Sequence, residues 1–96
     1  MNYKPLPDSL TIKKSNIQGL GLFAVKTIAK NTDLGMIHFS YGELLIRTPL
    51  GGFINHSLKP NCKKIDLDQE WHLKTLIDIK KDEELTLKYT MYNPEL

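Results

Sequence analysis

The chain has 96 residues, of which 41% are hydrophobic and 25% are charged, and its formal net charge is +2. This length indicates one small domain. A charge this small and this scattered argues against direct binding of nucleic acid. The single cysteine excludes an intrachain disulfide framework and fits a reducing compartment, and no signal peptide or membrane-length apolar run is present. We therefore expect a soluble, intracellular protein that contacts neither membranes nor nucleic acid directly.

The first half of the chain consists of short apolar segments separated by turn residues. Leu10–Lys14 alternates between apolar and polar residues, and Leu22–Val25 is an apolar run, so both are predicted strands. Leu34–Phe39 is apolar around one glycine. The turn Tyr41-Gly42-Glu43 then separates it from the apolar segment Leu44–Ile46. These segments predict four short strands.

The second half has a clearer alternating pattern. Apolar residues alternate with charged ones up to Leu67, and residues 68–70 can turn the chain. Five residues then share one face of a long predicted strand: Trp71, Leu73, Thr75, Ile77 and Ile79. A charged turn over residues 80–83 leads into a last strand in which Leu85, Leu87 and Tyr89 alternate with polar residues. No window of ten residues has a helical period, so the prediction is a mostly β domain with little helix.

The segment from Gly51 to Cys62 carries most of the candidate chemistry. Phe53-Ile54 is predicted to form a short buried strand, and Asn55-His56-Ser57 to leave it as a turn, because such side chains hydrogen-bond nearby backbone. Polar residues on a rigid base are typical of a binding loop. The alternative is a capped turn between two strands.

A second candidate is the glycine pair Gly19-x-Gly21, which follows a polar stretch. Glycine permits backbone angles that other residues avoid, and it lets a ligand approach the main chain closely. We therefore expect positive φ angles and a ligand contact at this pair. A plain turn is the alternative.

Metal binding and nucleophilic catalysis receive little support. His38, His56, His72 and Cys62 have spacings that match no familiar zinc pattern, so no metal site is predicted. Cys62 is expected to be a small buried hydrophobic residue instead of a nucleophile. Trp71 is expected in the core or on a self-association face.

Four segments, in order, resemble motifs of SET domains, the S-adenosylmethionine-dependent protein lysine methyltransferases. The run from Ser15 through Gly19 and Gly21 to Ala24 resembles the opening motif, and Ile28–Leu34 resembles the step after it. The run Phe53-Ile54-Asn55-His56-Ser57-x-x-Pro60-Asn61-Cys62 is similar to the most diagnostic motif. Ile79–Tyr89 resembles the closing motif. The resemblance implies a leader over residues 1–8, one SET-like domain over 9–92 and a tail over 93–96.

The resemblance also implies a fold and a site. The fold is one of small sheets of short strands around a pseudoknot, similar to a β-clip, in which the closing segment passes beneath the Asn-His-Ser loop. S-adenosylmethionine would lie between the glycine turn and that loop. Asn55 would hold the methionine moiety, the His56 backbone the adenine, and Tyr89 would be the catalytic residue. The implied cofactor-binding residues are Gly19, Leu20, Gly21, Asn55, His56 and Tyr89.

The function expected from this resemblance is methyl transfer to a lysine of a protein or peptide by a minimal, stand-alone SET domain. The insert that the family carries between its two halves is reduced here to Phe39–Leu50, with Tyr41 as a nearby tyrosine. Uncovered apolar surface then predicts a homodimer through Trp71 and Phe39. The alternatives are a catalytically silent SET-like module that binds S-adenosylmethionine or a peptide, and a small β interaction domain without a cofactor.

Overall fold

The computed structural model describes residues 6–88, which form eight strands and one short helix around a single core. The elements are β1 (Leu10–Lys14), β2 (Leu20–Ala24), β3 (Asp33–Tyr41), β4 (Leu44–Arg47), α1 (Pro49–Phe53), β5 (Asn55–His56), β6 (Cys62–Leu67), β7 (Glu70–Thr75) and β8 (Glu84–Leu87). The strands follow the order β1-β2-β8-β6-β7-β3-β4, and β5 pairs with β8 beside this path. The predicted mostly β architecture is confirmed.

Three antiparallel hairpins form, and the last of them is the one that the alternating pattern on either side of residues 68–70 predicts. β1 pairs with β2, β3 with β4, and β6 with β7. Each of the three connecting turns contains a residue with positive φ: Gly19 at 48°, Gly42 at 62° and Asp68 at 66°. Such angles suit the tight connections between antiparallel strands. Local turn chemistry is therefore enough to form these hairpins.

Strand β7 ends earlier than predicted. Thr75 exchanges backbone hydrogen bonds with Asn31 and Thr32, and its hydroxyl donates to the Ala29 carbonyl at 2.8 Å. The 29–32 segment thus binds the end of β7, and the chain bends away after it. Ile77 is consequently 55% exposed. Its predicted place on the face of a long strand is wrong.

The segment before the candidate binding loop is a helix, where the sequence predicted a strand. Thr48 caps α1, because its hydroxyl accepts from the Gly51 N–H at 3.3 Å and donates to the Met36 carbonyl at 2.6 Å. Pro49 suits the first helical turn. Phe53 therefore ends a helix, which corrects the predicted Phe53-Ile54 strand. The strand comes two residues later, at β5.

Strand β5 also corrects the predicted turn at Asn55-His56. Asn55 and His56 pair in parallel with Thr86 and Leu87 of β8. Leu87 pairs at the same time with Cys62 of β6. A strand residue has one partner on each edge, so β5 and β6 flank β8 on opposite sides. The 57–61 segment must then cross β8, as the SET-type pseudoknot requires.

Asn61 attaches this crossing segment to β8. Its side-chain Nδ2 donates to the Glu84 carbonyl at 2.9 Å, and its Oδ1 accepts from the Thr86 N–H at 2.8 Å. Thr86 is consequently 7% exposed, although the alternating pattern predicts an outward side chain. The closing strand is therefore buried on both faces. The course of the chain from Tyr89 onward lies outside the described residues.

The core is apolar and continuous. Its fully buried members come from both halves of the chain, and the largest are Leu22, Ile37, Leu50, Leu73, Ile79 and Leu85. Cys62 is 1% exposed, and burial raises the pKa of its thiol to about 12, which confirms the prediction that it is a small buried hydrophobic residue.

Phe39 and Trp71 were predicted to be exposed aromatic residues of a self-association face. Both are half-buried, and Trp71 packs against the core.

Two further predictions concern the ends of the chain and membranes. The leader over residues 1–8 and the tail over 93–96 stay predictions, because residues 1–5 and 89–96 are not described. Within residues 6–88, no helix has the length and apolar character needed to cross a membrane.

Candidate functional site

An open groove of about 400 Å³ lies where the β1–β2 turn meets the end of α1 and the start of β5. This volume falls in the lower part of the range for small-molecule sites, roughly 300–1,000 Å³. The groove is lined by Gln18, Gly19, Leu20, Gly52, Phe53 and Asn55. Three of the predicted cofactor residues, distant in sequence, thus share one concave surface.

The two glycines of the turn have different roles. Gly19 has φ = 48°, and a Cβ built on it would meet no atom within 4 Å, so its conformation alone requires glycine. Gly21 has no positive φ, which corrects that part of the expectation. A Cβ there would overlap the Glu84 carboxylate and lie 3.0 Å from Asn55 Nδ2. Gly21 therefore leaves room for a protein side chain at this point.

The Asn55 amide is oriented by a set of acceptors. Its Nδ2 lies 2.8 Å from Glu84 Oε2 and 3.1 Å from Ser15 Oγ, and 3.2 Å from the backbone carbonyls of Gln18 and Leu20. An amide has two N–H donors, which these four acceptors share, and together they orient its nitrogen side. Asn55 Oδ1 accepts no hydrogen bond from residues 6–88. The oxygen is thus the polar atom of this side chain that a ligand can use.

Ser15 and Glu84 complete the network behind Asn55. The Ser15 hydroxyl lies 2.8 and 2.9 Å from the two Glu84 carboxylate oxygens, and it accepts from the Ile17 N–H at 2.8 Å. Within the described range, Glu84 makes no ion pair; neutral donors stabilise its half-buried charge. The carboxylate thereby joins β8 to the glycine turn and to β5.

Sequence reasoning did not identify Ser15 and Glu84 as site residues. Both lie in the motifs that resemble SET domains, but they are 69 positions apart. A serine in a turn and a glutamate at a strand start are ordinary surface residues by pattern. Membership of two motifs was the only sequence signal that connected them.

His56 and Tyr89 differ from the other predicted site residues. His56 is exposed and pairs through its backbone with Leu87, and its side chain does not line the groove. Tyr89 lies outside the described residues and follows Lys88 directly in the sequence. The predicted roles of His56 and Tyr89 stay predictions.

The two histidines of β3 and β7 occupy opposite electrostatic environments. His38 is 4% exposed, and neither of its ring nitrogens has a hydrogen-bond partner among residues 6–88. Burial, together with the positive charges of Arg47 and Lys64, lowers its pKa. For His72, burial acts to lower the pKa, but hydrogen bonds that the ring donates to the Glu70 and Asp33 carboxylates outweigh it and raise the pKa overall. In residues 6–88, no three metal-ligating side chains come together.

Comparison with known proteins connects this arrangement to one family. No curated protein matches the sequence. The model of the SET domain family matches residues 40–90, more than half of the chain, which include β5 and β8 but not the glycine turn.

Two solved structures share the fold. One is a Plasmodium falciparum protein provisionally named a histone methyltransferase, with a TM-score of 0.73, 21% identity, and coverage of 86% of this chain and 94% of that chain. The other is the methyltransferase domain of human PR domain-containing protein 2, with a TM-score of 0.72, 20% identity, and coverage of 95% and 84%. Because the family model spans the Asn55 motif and the closing strand together, the chain belongs to the SET domain family.

Proposed function

We propose that the protein is an S-adenosylmethionine-dependent methyltransferase that transfers a methyl group to a lysine side chain of a protein or peptide. The observation that carries the proposal is the Asn55 amide, whose nitrogen is held by four acceptors beside an open groove. This orientation leaves a carbonyl oxygen for a ligand that donates hydrogen bonds. The α-ammonium of S-adenosylmethionine is such a donor.

The residues present fit this cofactor. Asn55 Oδ1 would accept from its α-ammonium group. The turn at Gly19 and Leu20 would lie along the methionine moiety, with open space at Gly19. The family resemblance assigns the adenine to the His56 backbone. The charge of Glu84, behind Asn55, also favours a cationic ligand.

The chemistry needs alignment more than reactive side chains. When bound, the cofactor supplies a sulfonium methyl group: the C–S electron pair stays on sulfur as the lysine lone pair forms the new N–C bond. The acceptor lysine must arrive neutral, so its pKa has to fall from about 10.4. Burial and a nearby positive charge both lower it. Tyr89 would hold the amine in line with the methyl–sulfur bond. Such alignment of the two reactants is the main contribution of the protein to the transfer.

Two measurements test the proposal. Calorimetric titration with S-adenosylmethionine should give one site per chain, and a methylation assay against mixed cell protein should label lysines. Absence of cofactor binding by the folded protein would favour the β interaction domain without a cofactor. Tight binding with no labelled product would favour the catalytically silent module.

We also propose that the protein is an intracellular homodimer. The intracellular placement rests on the single cysteine, Cys62, which is buried and cannot form an intrachain disulfide. The dimer rests on apolar residues at the end of the β3–β4 hairpin, where Tyr41 is 73%, Leu44 62% and Leu45 50% exposed. β4 is also the edge strand of the sheet, and uncovered apolar edges favour strand pairing. Light scattering should report a dimer in wild-type protein and a monomer in Leu44→Lys; a wild-type monomer at high micromolar concentration would contradict the proposal.

A further inference from the structure

A second groove lies on the β6 side of β8, across the strand from the Asn55 groove. Its volume is about 210 Å³, and its lining is Pro60, Cys62, Lys63, Lys64, Leu76, Leu87 and Lys88. The lining combines apolar side chains with three lysines, and it contains no acidic residue. A ligand in this groove would meet positive charge around an apolar surface.

The lysines of this groove lack compensating charges. Among lysines of residues 6–88, the structure has an ion pair for Lys13, which lies 3.7 Å from Asp82, and none for Lys63, Lys64 or Lys88. Lys63 also lies directly opposite Lys74 in the β6–β7 ladder. Like charges in directly opposed positions are unfavourable. The fold thus places uncompensated positive charge at the groove.

A further basic residue, Arg47, lies on β4, beyond the groove. Lys64 and Arg47 both contribute to the lowered pKa of His38, which shows that their fields meet at this buried ring. His38 is directly opposite Arg47 in the β3–β4 ladder. An exposed acid, Asp66, lies two residues from Lys64 on β6, but it does not line the groove. Positive charge near His38 therefore comes from both β4 and β6, whereas Asp33 and Glu70 on the two intervening strands bind His72.

We propose that this groove binds an acidic segment of the protein substrate, next to the lysine that is methylated. This inference rests on the proposed function, because Lys88 lines the groove and the implied catalytic Tyr89 is the next residue. The substrate class is then a lysine flanked by Asp or Glu, with a small apolar side chain against the partly buried Pro60 and Leu76. A lysine within a strongly basic segment would meet repulsion from Lys63, Lys64 and Lys88.

Peptides of equal length test this charge preference directly. Each carries one lysine and a fluorescent label, and the flanking residues are acidic, neutral or basic. Fluorescence anisotropy should show that the acidic peptide binds about ten-fold or more tightly than the basic one at low salt. The preference should disappear near 1 M salt, where the Debye length is about 3 Å. Methylation rates, as kcat/KM, should follow the same order.

A charge reversal in the groove provides the matched comparison. Lys64→Glu should remove or invert the preference for the acidic peptide. Lys26→Glu changes the total charge equally at an exposed residue outside the groove, and it should leave the preference unchanged. Cofactor titration of both variants should give wild-type affinity, because neither residue lines the Asn55 groove.

Specific outcomes would overturn the inference. Equal or tighter binding of the basic peptide would do so, as would an equal loss of preference in Lys26→Glu. Displacement of the acidic peptide by a short single-stranded oligonucleotide at equal concentration would indicate a nucleic acid surface instead. Failure of the proposed function is separate: it would appear as absence of cofactor binding by wild-type protein, whatever the peptides do.

Discussion

The two edges of strand β8 differ in whether their polar side chains have hydrogen-bonding or ion-pair partners. On the β5 side, the polar groups of Ser15, Asn55 and Glu84 bind one another at 2.8–3.1 Å, which fixes their directions. On the β6 side, the groove lysines have no ion-pair partner in the described part of the chain. A fixed amide suits a small ligand of constant shape, whereas long unpaired side chains suit a variable polymer. One strand thus separates a rigid site from an adaptable surface.

The largest expected effect concerns Tyr89, the proposed catalytic residue, which comes two positions after the last residue of β8 in the sequence. Tyr89→Phe keeps the ring and removes the hydroxyl. Turnover should fall by about 10²-fold or more, the scale of losing one positioned polar group. Affinity for S-adenosylmethionine should change much less. Steady-state kinetics and calorimetry separate the two quantities, and wild-type turnover in the variant would remove Tyr89 from the mechanism.

A pair of asparagines compares the two edges directly. Asn55→Ala should weaken cofactor binding by about 1–3 kcal/mol, because donors of the methionine moiety would lose their acceptor. Asn61→Ala should lower the free energy of unfolding by a similar amount, because the Thr86 N–H and the Glu84 carbonyl would lose their partner. Its effect on cofactor affinity should be small.

Calorimetry and urea unfolding of both variants distinguish these roles. If Asn61→Ala weakens the cofactor as strongly as Asn55→Ala, the two edges are not independent. If Asn55→Ala binds normally with its fold intact, the site does not lie at this groove.

The glycine turn offers a smaller test of the rigid edge. Gly21→Ala should displace Glu84 and disturb Asn55, since the new Cβ would overlap the carboxylate. We expect cofactor affinity to fall by about ten-fold, because this loss corresponds to the net free energy of roughly one hydrogen bond. Gly19→Ala adds a Cβ in open space and should cost about 1 kcal/mol of stability from its positive φ. Similar cofactor affinities in the two variants would show that Glu84 does not position Asn55.

The smallest effect is the pH dependence of His38 and His72. The lowered pKa of His38 means that the unfolded chain binds more protons below about pH 6.5, so this residue reduces stability as the pH falls through that value. The raised pKa of His72 has the opposite sign: its stabilisation is present below about pH 6.5 and is lost as the pH rises through the folded pKa.

Substitutions separate these two contributions. Relative to wild type, His38→Leu should gain more stability at about pH 5.5 than at about pH 8, whereas His72→Asn should lose more at the lower pH. For His72, whose carboxylate partners are about half exposed, we expect the pH-dependent difference to stay below about 1 kcal/mol. Urea unfolding at the two pH values measures both. Equal changes at both pH values would show that neither ring titrates in this range.

Much of the fold could be predicted from sequence because it depends on neighbouring residues. The β6–β7 hairpin follows from alternation up to Leu67, a turn at 68–70 and a second apolar face on β7. The β1–β2 and β3–β4 hairpins have equally local causes. The family resemblance added the order of the motifs, and with it Gly19, Leu20 and Asn55 at one groove.

Tertiary structure decided the parts that depend on residues far apart in the chain. Asn55 and His56 form a strand and not a turn, because β8 satisfies their backbone groups. Thr86 is buried against the pattern of its strand because Asn61 binds its N–H. Gly21 needs no positive φ; it is glycine because Glu84 occupies the space of a side chain. Alternation and turn propensity act over a few residues, whereas these hydrogen bonds and close contacts exist only once β8 lies between β5 and β6.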